Sequence, residues 1–263
     1  MTQTQRILTP DQVAEFEERG FVALRHAFST VVAARIRAAI WRKLELDPDH
    51  PSRWTKALIH LRECFWGTPF AGAVTGRFTG AVDDLLGPGR WKTIEHMGWW
   101  PVAFPGFETP DDDDVVADWH VDGGHFHHRL LGPEQGLLPL FLFSDIGPED
   151  GGTQLVDGSH LAIARALAAA EPAGLAMADL SRIARGLPRT RVTRVVGRAG
   201  DVILIHPFVV HARSPNLGTR VRFIANPQVS MRFPLRLRGS SLSPVERVIA
   251  RAVAPSAVAV GAA

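Results

Sequence analysis

The feature that most constrains the fold is a series of short apolar runs that begins after residue 90. Clusters of glycine, proline and aspartate separate these runs, which is typical of an antiparallel β-sandwich or barrel. The runs cover residues 91–101, 115–121, 137–144, 152–156, 191–196, 201–210 and 220–230. We therefore predict a mainly β chain whose core, residues 91–230, is a double-stranded β-helix (a jelly-roll barrel) with a helical insertion at 160–186.

Residues 1–90 have the periodicity of helices and should support the barrel by packing on one face. Thr9-Pro10-Asp11-Gln12 combines a capping threonine, a proline at the first helical position and a glutamine three residues after the cap. This combination predicts a helix that ends at Gly20. A C-terminal helix and a frayed tail are expected over 231–263, and the whole chain should form one domain, 1–263. The other elements expected in the first third are a strand at 21–24, a helix capped by Ser29 and a helix over 70–86.

Composition and charge argue against several classes of protein. The formal net charge is only +2 and the basic residues are dispersed, so the pI near 9.2 does not indicate nucleic-acid binding. The longest apolar stretches, such as 137–143, are far too short to cross a bilayer, and no secretory signal is visible. A single cysteine, Cys64, excludes an intrachain disulfide framework and fits a reducing cytosol. We therefore predict a cytoplasmic protein that binds neither nucleic acid nor membranes.

A candidate metal site begins with His120-Val121-Asp122, at the end of the run 115–121. Side chains at i and i+2 of a strand point to the same face, so His120 and Asp122 can both point into a barrel. His211 ends the long apolar strand expected over 201–210, and a buried imidazole there needs a hydrogen-bond partner or a metal. Two histidines and one carboxylate form the facial triad that is typical of non-haem Fe(II) oxygenases.

An arginine follows this second histidine at a distance of eleven residues. Arg222 lies in the run 220–230, and an arginine that points into a barrel is costly unless a carboxylate meets it. The guanidinium fork is a planar, bidentate match for the distal carboxylate of 2-oxoglutarate. Arg220 shares a face of the predicted strand with Arg222, so the alternation alone allows either arginine to fill this role.

These residues, in this order, resemble the phytanoyl-CoA dioxygenase family over nearly the whole chain. The resemblance implies Fe(II) at His120, Asp122 and His211, with 2-oxoglutarate chelating the metal. The eleven-residue gap from His211 favours Arg222 over Arg220 as the salt-bridge partner of the cosubstrate. The matching segments are Leu8-Thr9-Pro10-Asp11-Gln12, Trp119-His120-Val121-Asp122, Gly151-Gly152-Thr153-Gln154, Asp157-Gly158-Ser159-His160 and Gly200-Asp201 through His206-Pro207 to His211, followed by Pro215-Asn216 and Arg222.

The resemblance also implies an activity. It predicts oxidation of a small organic substrate by O2, coupled to decarboxylation of 2-oxoglutarate to succinate and CO2. Because Asp122 is present, we expect hydroxylation or a related oxidation rather than halogenation, since the related halogenases characteristically lack that carboxylate. We expect the substrate to belong to natural-product or secondary metabolism, and its identity stays open. Ala212-Arg213-Ser214 departs from the Gly-Ser that the family often has after the distal histidine, which shifts a serine contact to Ser214 if there is one.

Further residues are candidates for the walls of the site. By resemblance, Thr153 and His96 are predicted to contact the cosubstrate. Trp100, His125 and Phe141 are candidates for substrate contact. For Trp100 and Phe141 packing in the core is the alternative, and for His125 it is a solvated loop.

Two other functions are compatible with a jelly roll. A cupin-like hydrolase or isomerase can hold zinc with two histidines and a carboxylate. A non-catalytic binding module, such as a lectin, needs no metal at all. Arg222 discriminates against the zinc enzyme, which has no general need for a buried arginine.

Overall fold

The computed structural model describes residues 6–254. Its α-helices are α1 (Pro10–Arg19), α2 (Thr30–Leu44), α3 (Gly76–Leu86), α4 (Asp113–Val116), α5 (Ser159–Ala169), α6 (Met177–Gly186) and α7 (Pro244–Val253). Its strands are β1 (Phe21–Leu24), β2 (Leu58–Leu61), β3 (Trp100–Ala103), β4 (Leu138–Leu142), β5 (Gln154–Val156), β6 (Val192–Arg194), β7 (Val202–Ile205), β8 (His211–Ala212) and β9 (Ile224–Ala225). α5 and α6 lie in the region of the expected helical insertion, and α7 lies in the region of the expected C-terminal helix. The predicted frayed tail falls on residues 255–263, outside the described part of the chain.

The start of the chain forms as its local signals predict. The Thr9 side chain accepts a hydrogen bond from the Gln12 backbone, and the Gln12 side chain accepts one from the Thr9 backbone. Gly20 ends α1 with a φ of 90°, a conformation that costs glycine little because it has no Cβ. A Cβ at Gly20 would meet the side chains of Val209 and His160 at 2.5–2.6 Å. The chain can therefore pass this close to those two side chains before β1 only because residue 20 is glycine.

The strands form antiparallel sheets that enclose the candidate site. One sheet has four strands in the order β1-β7-β4-β9, and a second has three in the order β6-β5-β8. β2 and β3 pair as a separate two-stranded ladder. Every strand pair in the described residues is antiparallel, as the sequence predicted. The chain is therefore a mixture of helices and antiparallel sheets.

Two predicted strands are interrupted, and both interruptions shape the site. The expected strand at 201–210 stops after Ile205, because Pro207 lacks an N–H and cannot continue a ladder. The chain then turns, so that His211 begins β8 in the other sheet. The strand expected at 115–121 is also wrong. α4 follows a 3-10 turn that Thr109 caps and takes up the first two residues of the run, and within the run only His120 keeps a β-bridge.

The helical reading of residues 1–90 needs two corrections. β2 was not predicted, and it forms because it pairs along its whole length with β3, a strand some forty residues away. The helix expected over 70–86 is broken in two: a 3-10 turn covers Phe70–Ala73, and α3 begins afterwards with Thr75 as its N-cap. The Thr75 hydroxyl also donates to the Ala27 carbonyl at 2.5 Å, which holds the break in place.

Both faces of the four-stranded sheet are buried. One face packs with the helices in the larger apolar core, which includes Phe141 of β4. The other face belongs to a second core together with residues of β5, and it includes Leu138, Leu140 and Leu142. The candidate site opens on this second face, because Leu138 and Leu140 line its cavity.

Candidate metal centre

A backbone pairing brings the two candidate histidines together. The His120 N–H donates to the His211 carbonyl at 3.0 Å, and the His211 N–H donates back at 2.9 Å. The two residues thus form a hydrogen-bonded antiparallel pair, with side chains on the same side. Their ring centroids lie 4.5 Å apart.

Each imidazole is oriented by its Nδ1 atom. His211 Nδ1 donates to the Val209 carbonyl at 3.0 Å, and His120 Nδ1 donates to the Asp118 carbonyl. A carbonyl can only accept, so Nδ1 carries the proton and Nε2 presents its lone pair in the neutral ring. Both Nε2 atoms face one oxygen of Asp122, at 3.2 Å from His120 and 3.6 Å from His211.

This donor set fits a divalent cation. One ligand atom from each of the three residues lies within 4.8 Å of the others. Burial by itself raises the pKa of Asp122, but the imidazoles of His211 and His120 outweigh it and hold that pKa well below its usual value. A carboxylate that stays ionised beside two nitrogen lone pairs needs either a proton on an imidazole or a metal cation between them. Two histidine nitrogens and one carboxylate suit Fe(II) and leave positions open for other ligands.

Asn226 orients the aspartate, and sequence reasoning missed it. Its side-chain amide donates to the second carboxylate oxygen of Asp122 at 2.9 Å. This leaves the first oxygen of Asp122 directed at the two Nε2 atoms. Such support for a ligating carboxylate typically strengthens metal binding. Asn226 lies 104 residues from Asp122, so no local signal marks it.

The three residues lie in a cavity of about 960 Å³ between the two larger sheets and the β2–β3 ladder. Arg222 also lines this cavity and is 1% exposed. Its terminal nitrogens donate to the carbonyls of Gly151 and Pro101, whereas Nε has no partner. Burial, with a smaller contribution from Arg213, lowers the pKa of Arg222 to about 10, so it stays a cation at neutral pH. Within residues 6–254 no carboxylate forms an ion pair with it.

Arg220 does not share this position. Its side chain is 58% exposed and forms an ion pair with Asp150 at 2.8 Å. The expectation that Arg220 and Arg222 share a strand face is wrong: Arg220 lies in a bend at 218–220, whereas Arg222 forms a β-bridge with Ala103. The structure thus separates two arginines that the alternation left equivalent.

The other predicted site residues divide into two groups. Thr153, His96 and His125 line the cavity, Thr153 in its buried part and the two histidines at exposed positions. Trp100 and Phe141 do not, and their prediction as substrate contacts is wrong. Trp100 packs against Phe70 and Phe143, and Phe141 packs against Phe78 and Phe28. Both lie on the strand face opposite the cavity, which their neighbours in sequence line instead: Trp99, Pro101 and Leu140.

Ser214 is also accounted for structurally. Its hydroxyl is buried and donates to the Gly152 carbonyl at 2.6 Å. Ser214 is absent from the cavity wall, so it does not make the contact that the family often makes with a serine after the distal histidine. Arg213, one residue earlier, lines the cavity and pairs with Glu108.

Comparison with known proteins agrees with this geometry. The family model described as phytanoyl-CoA dioxygenase (PhyH) matches residues 16–224. The chain belongs to the phytanoyl-CoA dioxygenase family. This is a family of dioxygenases that use Fe(II) and 2-oxoglutarate, so the cofactor prediction is confirmed. No curated protein matches the chain.

Solved structures share the fold at low sequence identity. HygX from Streptomyces hygroscopicus, crystallised with nickel and 2-oxoglutarate, is 19% identical, with a TM-score of 0.53 over 90% of this chain and 96% of that one. EctD from S. alaskensis is 19% identical, with a TM-score of 0.55 over 88% and 79%. SnoK, a non-haem α-ketoglutarate-dependent carbocyclase from nogalamycin biosynthesis, is 19% identical, with a TM-score of 0.52 over 87% of each chain.

The residues that the structure describes contain no helix long and apolar enough to cross a membrane.

Proposed function

We propose that this protein is an Fe(II)- and 2-oxoglutarate-dependent hydroxylase in which His120, Asp122 and His211 hold the iron. One observation carries the proposal: three ligand atoms converge within 4.8 Å in the same cavity as a buried arginine that has no carboxylate partner within residues 6–254. The triad accounts for the metal, and Arg222 accounts for the distal carboxylate of 2-oxoglutarate.

Arg222 also decides between this proposal and a zinc hydrolase or isomerase on the same scaffold. Burying an unpaired guanidinium is destabilising, and a hydrolytic zinc site contains no group that would offset this by pairing with it. A dicarboxylate cosubstrate does, because its far end can form charge-assisted bonds with the fork. A binding module without a metal accounts for neither the convergent triad nor the arginine.

In this proposal the residues of the chain position the cofactors and the substrate, and the cofactors carry out the oxidation. When bound, Fe(II) and 2-oxoglutarate supply oxidation of a substrate C–H bond by O2, with succinate and CO2 as coproducts. The backbone carbonyls of Asp118 and Val209 keep both Nε2 atoms directed at the metal. Asn226 holds the carboxylate of Asp122, and the apolar wall from β4 keeps water away from the reacting centre. Thr153 and His96 are proposed as further cosubstrate contacts.

We propose hydroxylation of a small natural product as the outcome. HygX has also been crystallised with hygromycin B, an observation on a protein that is 19% identical, and it supports a small-molecule substrate here. SnoK is a carbocyclase, so the shared fold by itself does not select hydroxylation. His125, at an exposed position of the cavity wall, is proposed to contact the substrate. The jelly-roll description, the single domain over 1–263 and a cytoplasmic location also belong to this proposal.

The experiment is anaerobic reconstitution followed by exposure to O2. The wild-type protein should develop the metal-chelate absorption when Fe(II) and 2-oxoglutarate are added, and it should release succinate only after O2 is admitted. His211→Ala should lose Fe(II) binding and succinate release while keeping a cooperative thermal unfolding transition. His127→Ala is the matched control, because His127 is exposed and lies outside the cavity wall. Succinate release by His211→Ala at the wild-type rate would refute the assignment of the ligand.

A further inference from the structure

One wall of the cavity is built by the β2–β3 ladder. Leu58 and His60 lie two residues apart in β2, and Arg62 follows at the same spacing just after the strand. Side chains at i and i+2 share a face, so all three line the cavity. Leu61 pairs with Trp100, which places Arg62 beside Trp99. We call His60, Arg62 and Trp99 the ladder rim.

Arg62 has no polar partner in the part of the chain that the structure describes. It is exposed, it forms no ion pair or side-chain hydrogen bond there, and its guanidinium lies 6.0 Å from the centroid of the Trp99 ring. The other two arginines of the cavity differ from it. Arg213 pairs with Glu108, and Arg222 is buried and bonded to two carbonyls. Arg62 is therefore the cavity arginine whose donors are directed at neither protein carboxylate nor protein carbonyl.

The charges of the loaded site leave this cation uncompensated. Under the proposed function, the charges of Fe(II) and Arg222 balance those of Asp122 and the 2-oxoglutarate dianion. Asp118, an acidic residue of the wall, has an ion-pair partner in Arg185 at 3.6 Å. The imidazole of His60 is influenced by the positive charges of the cavity. Burial makes the largest contribution to lowering the pKa of His60, and the charges of Arg62, Arg213 and Arg222 lower that pKa further. His60 is thus neutral beside the cation.

Trp99 holds an unusual position next to Arg62. Its φ is 24°, and a positive φ in a bulky residue is strained, so it persists only where the surrounding structure enforces it. The Trp99 carbonyl accepts a hydrogen bond at 3.3 Å from the backbone of Asn226, the residue that also holds Asp122. The indole is 49% exposed and faces the cavity. A strained backbone that presents an exposed aromatic ring at a cavity is typical of a binding surface.

We propose that the substrate is an organic anion whose carboxylate or phosphate group binds Arg62 while its apolar body packs against Trp99. This inference rests on the proposed function, since the charge balance assumes that iron and 2-oxoglutarate are bound. It narrows the substrate to molecules with an acidic group distant from the carbon that is oxidised. The neutral His60 is placed to add a hydrogen bond to that group.

The test uses matched probes on the full chain loaded anaerobically with Fe(II) and 2-oxoglutarate. Phenylacetate, phenyl phosphate and the neutral phenylacetamide are titrated, and binding is followed by ligand-observed NMR. We expect at least one anion to bind more tightly than the amide. Arg62→Gln should weaken that anion by roughly fivefold and leave the amide unchanged, a modest factor because Arg62 is exposed and solvent screens its charge. The preference of phenylacetate over phenyl phosphate, or the reverse, distinguishes the two anionic groups.

Two controls keep this outcome separate from the proposed function. Arg42→Gln removes an exposed arginine of α2 that does not line the cavity, and it should change none of the affinities. Each variant is first titrated with 2-oxoglutarate. If the wild-type protein binds iron but no 2-oxoglutarate, the proposed function fails. If it binds 2-oxoglutarate and neither anion exceeds the amide, or if Arg62→Gln keeps the full preference, the anionic-substrate inference alone is overturned.

Discussion

Replacing Arg222 with alanine should weaken 2-oxoglutarate binding and leave iron binding nearly intact. The guanidinium is buried in the cavity wall, and the structure gives it two carbonyl acceptors but no carboxylate within the described residues. Its remaining N–H groups, including that of Nε, are free to bind the distal carboxylate of the cosubstrate. Iron ligation involves other residues, so the metal affinity should change little.

The size of the effect follows from the kind of bond that is lost. Hydrogen bonds to charged groups contribute about 1.5–3 kcal/mol after desolvation is included. At about 1.4 kcal/mol per factor of ten, the 2-oxoglutarate dissociation constant should rise roughly ten- to a hundredfold. Arg222→Lys should recover only part of this, because an ammonium cannot reproduce the planar fork.

The assay is a titration of 2-oxoglutarate into anaerobic Fe(II)-loaded protein, followed by the metal-chelate absorption. Arg220→Ala is the matched control: Arg220 is close in sequence, but it pairs with Asp150 outside the cavity. A large loss with Arg220→Ala and none with Arg222→Ala would show that the cosubstrate is bound elsewhere. If both variants bind 2-oxoglutarate as the wild type does, neither arginine anchors it and the reasoning is refuted.

Three further predictions concern the support of the site and of the fold. Asn226→Ala removes the donor to Asp122 and should lower Fe(II) affinity by about ten- to a hundredfold in a chelator competition; an unchanged affinity would contradict its role. Glu246 is buried, yet its bonds to Arg236 and Arg90 lower its pKa from 4.5 to about 2. It should therefore contribute about 3 kcal/mol above pH 4.5, lost as the pH falls towards 2, and acid unfolding of Glu246→Gln should lack this component. Phe141→Ala should cost about 3–5 kcal/mol in denaturant unfolding while the folded protein keeps its 2-oxoglutarate affinity, as expected for a core residue.

Signals that act over a few residues were readable from the sequence. Thr9 and Gln12 specify the start of α1, and Gly20 specifies its end, because caps and left-handed turns depend on neighbouring residues only. The candidate ligands His120 and Asp122 could be named for a similar reason, since a spacing of two puts both side chains near one backbone segment. Their meeting with His211 was expected from the resemblance, and the structure brings the three ligand atoms within 4.8 Å of one another.

The face of each strand that meets the cavity was decided by tertiary structure alone. Alternation divides a strand into two faces, but β4 is buried on both, so its sequence does not reveal that Leu140 lines the cavity and Phe141 the core. The same ambiguity led to the prediction of Trp100 as a substrate contact, whereas its neighbour Trp99 lines the cavity.

Contacts between distant segments were equally hidden from the sequence. β2 exists because β3 pairs with it, and Asn226 reaches Asp122 across 104 residues. The bend at 218–220 directs Arg220 outwards, and the bridge from Arg222 to Ala103 of β3 leaves Arg222 in the cavity. Local chemistry thus determined which residue types can hold iron and a dicarboxylate. Only the packing of the sheets determined which individual side chains face them, because that choice depends on what lies on either side of each strand.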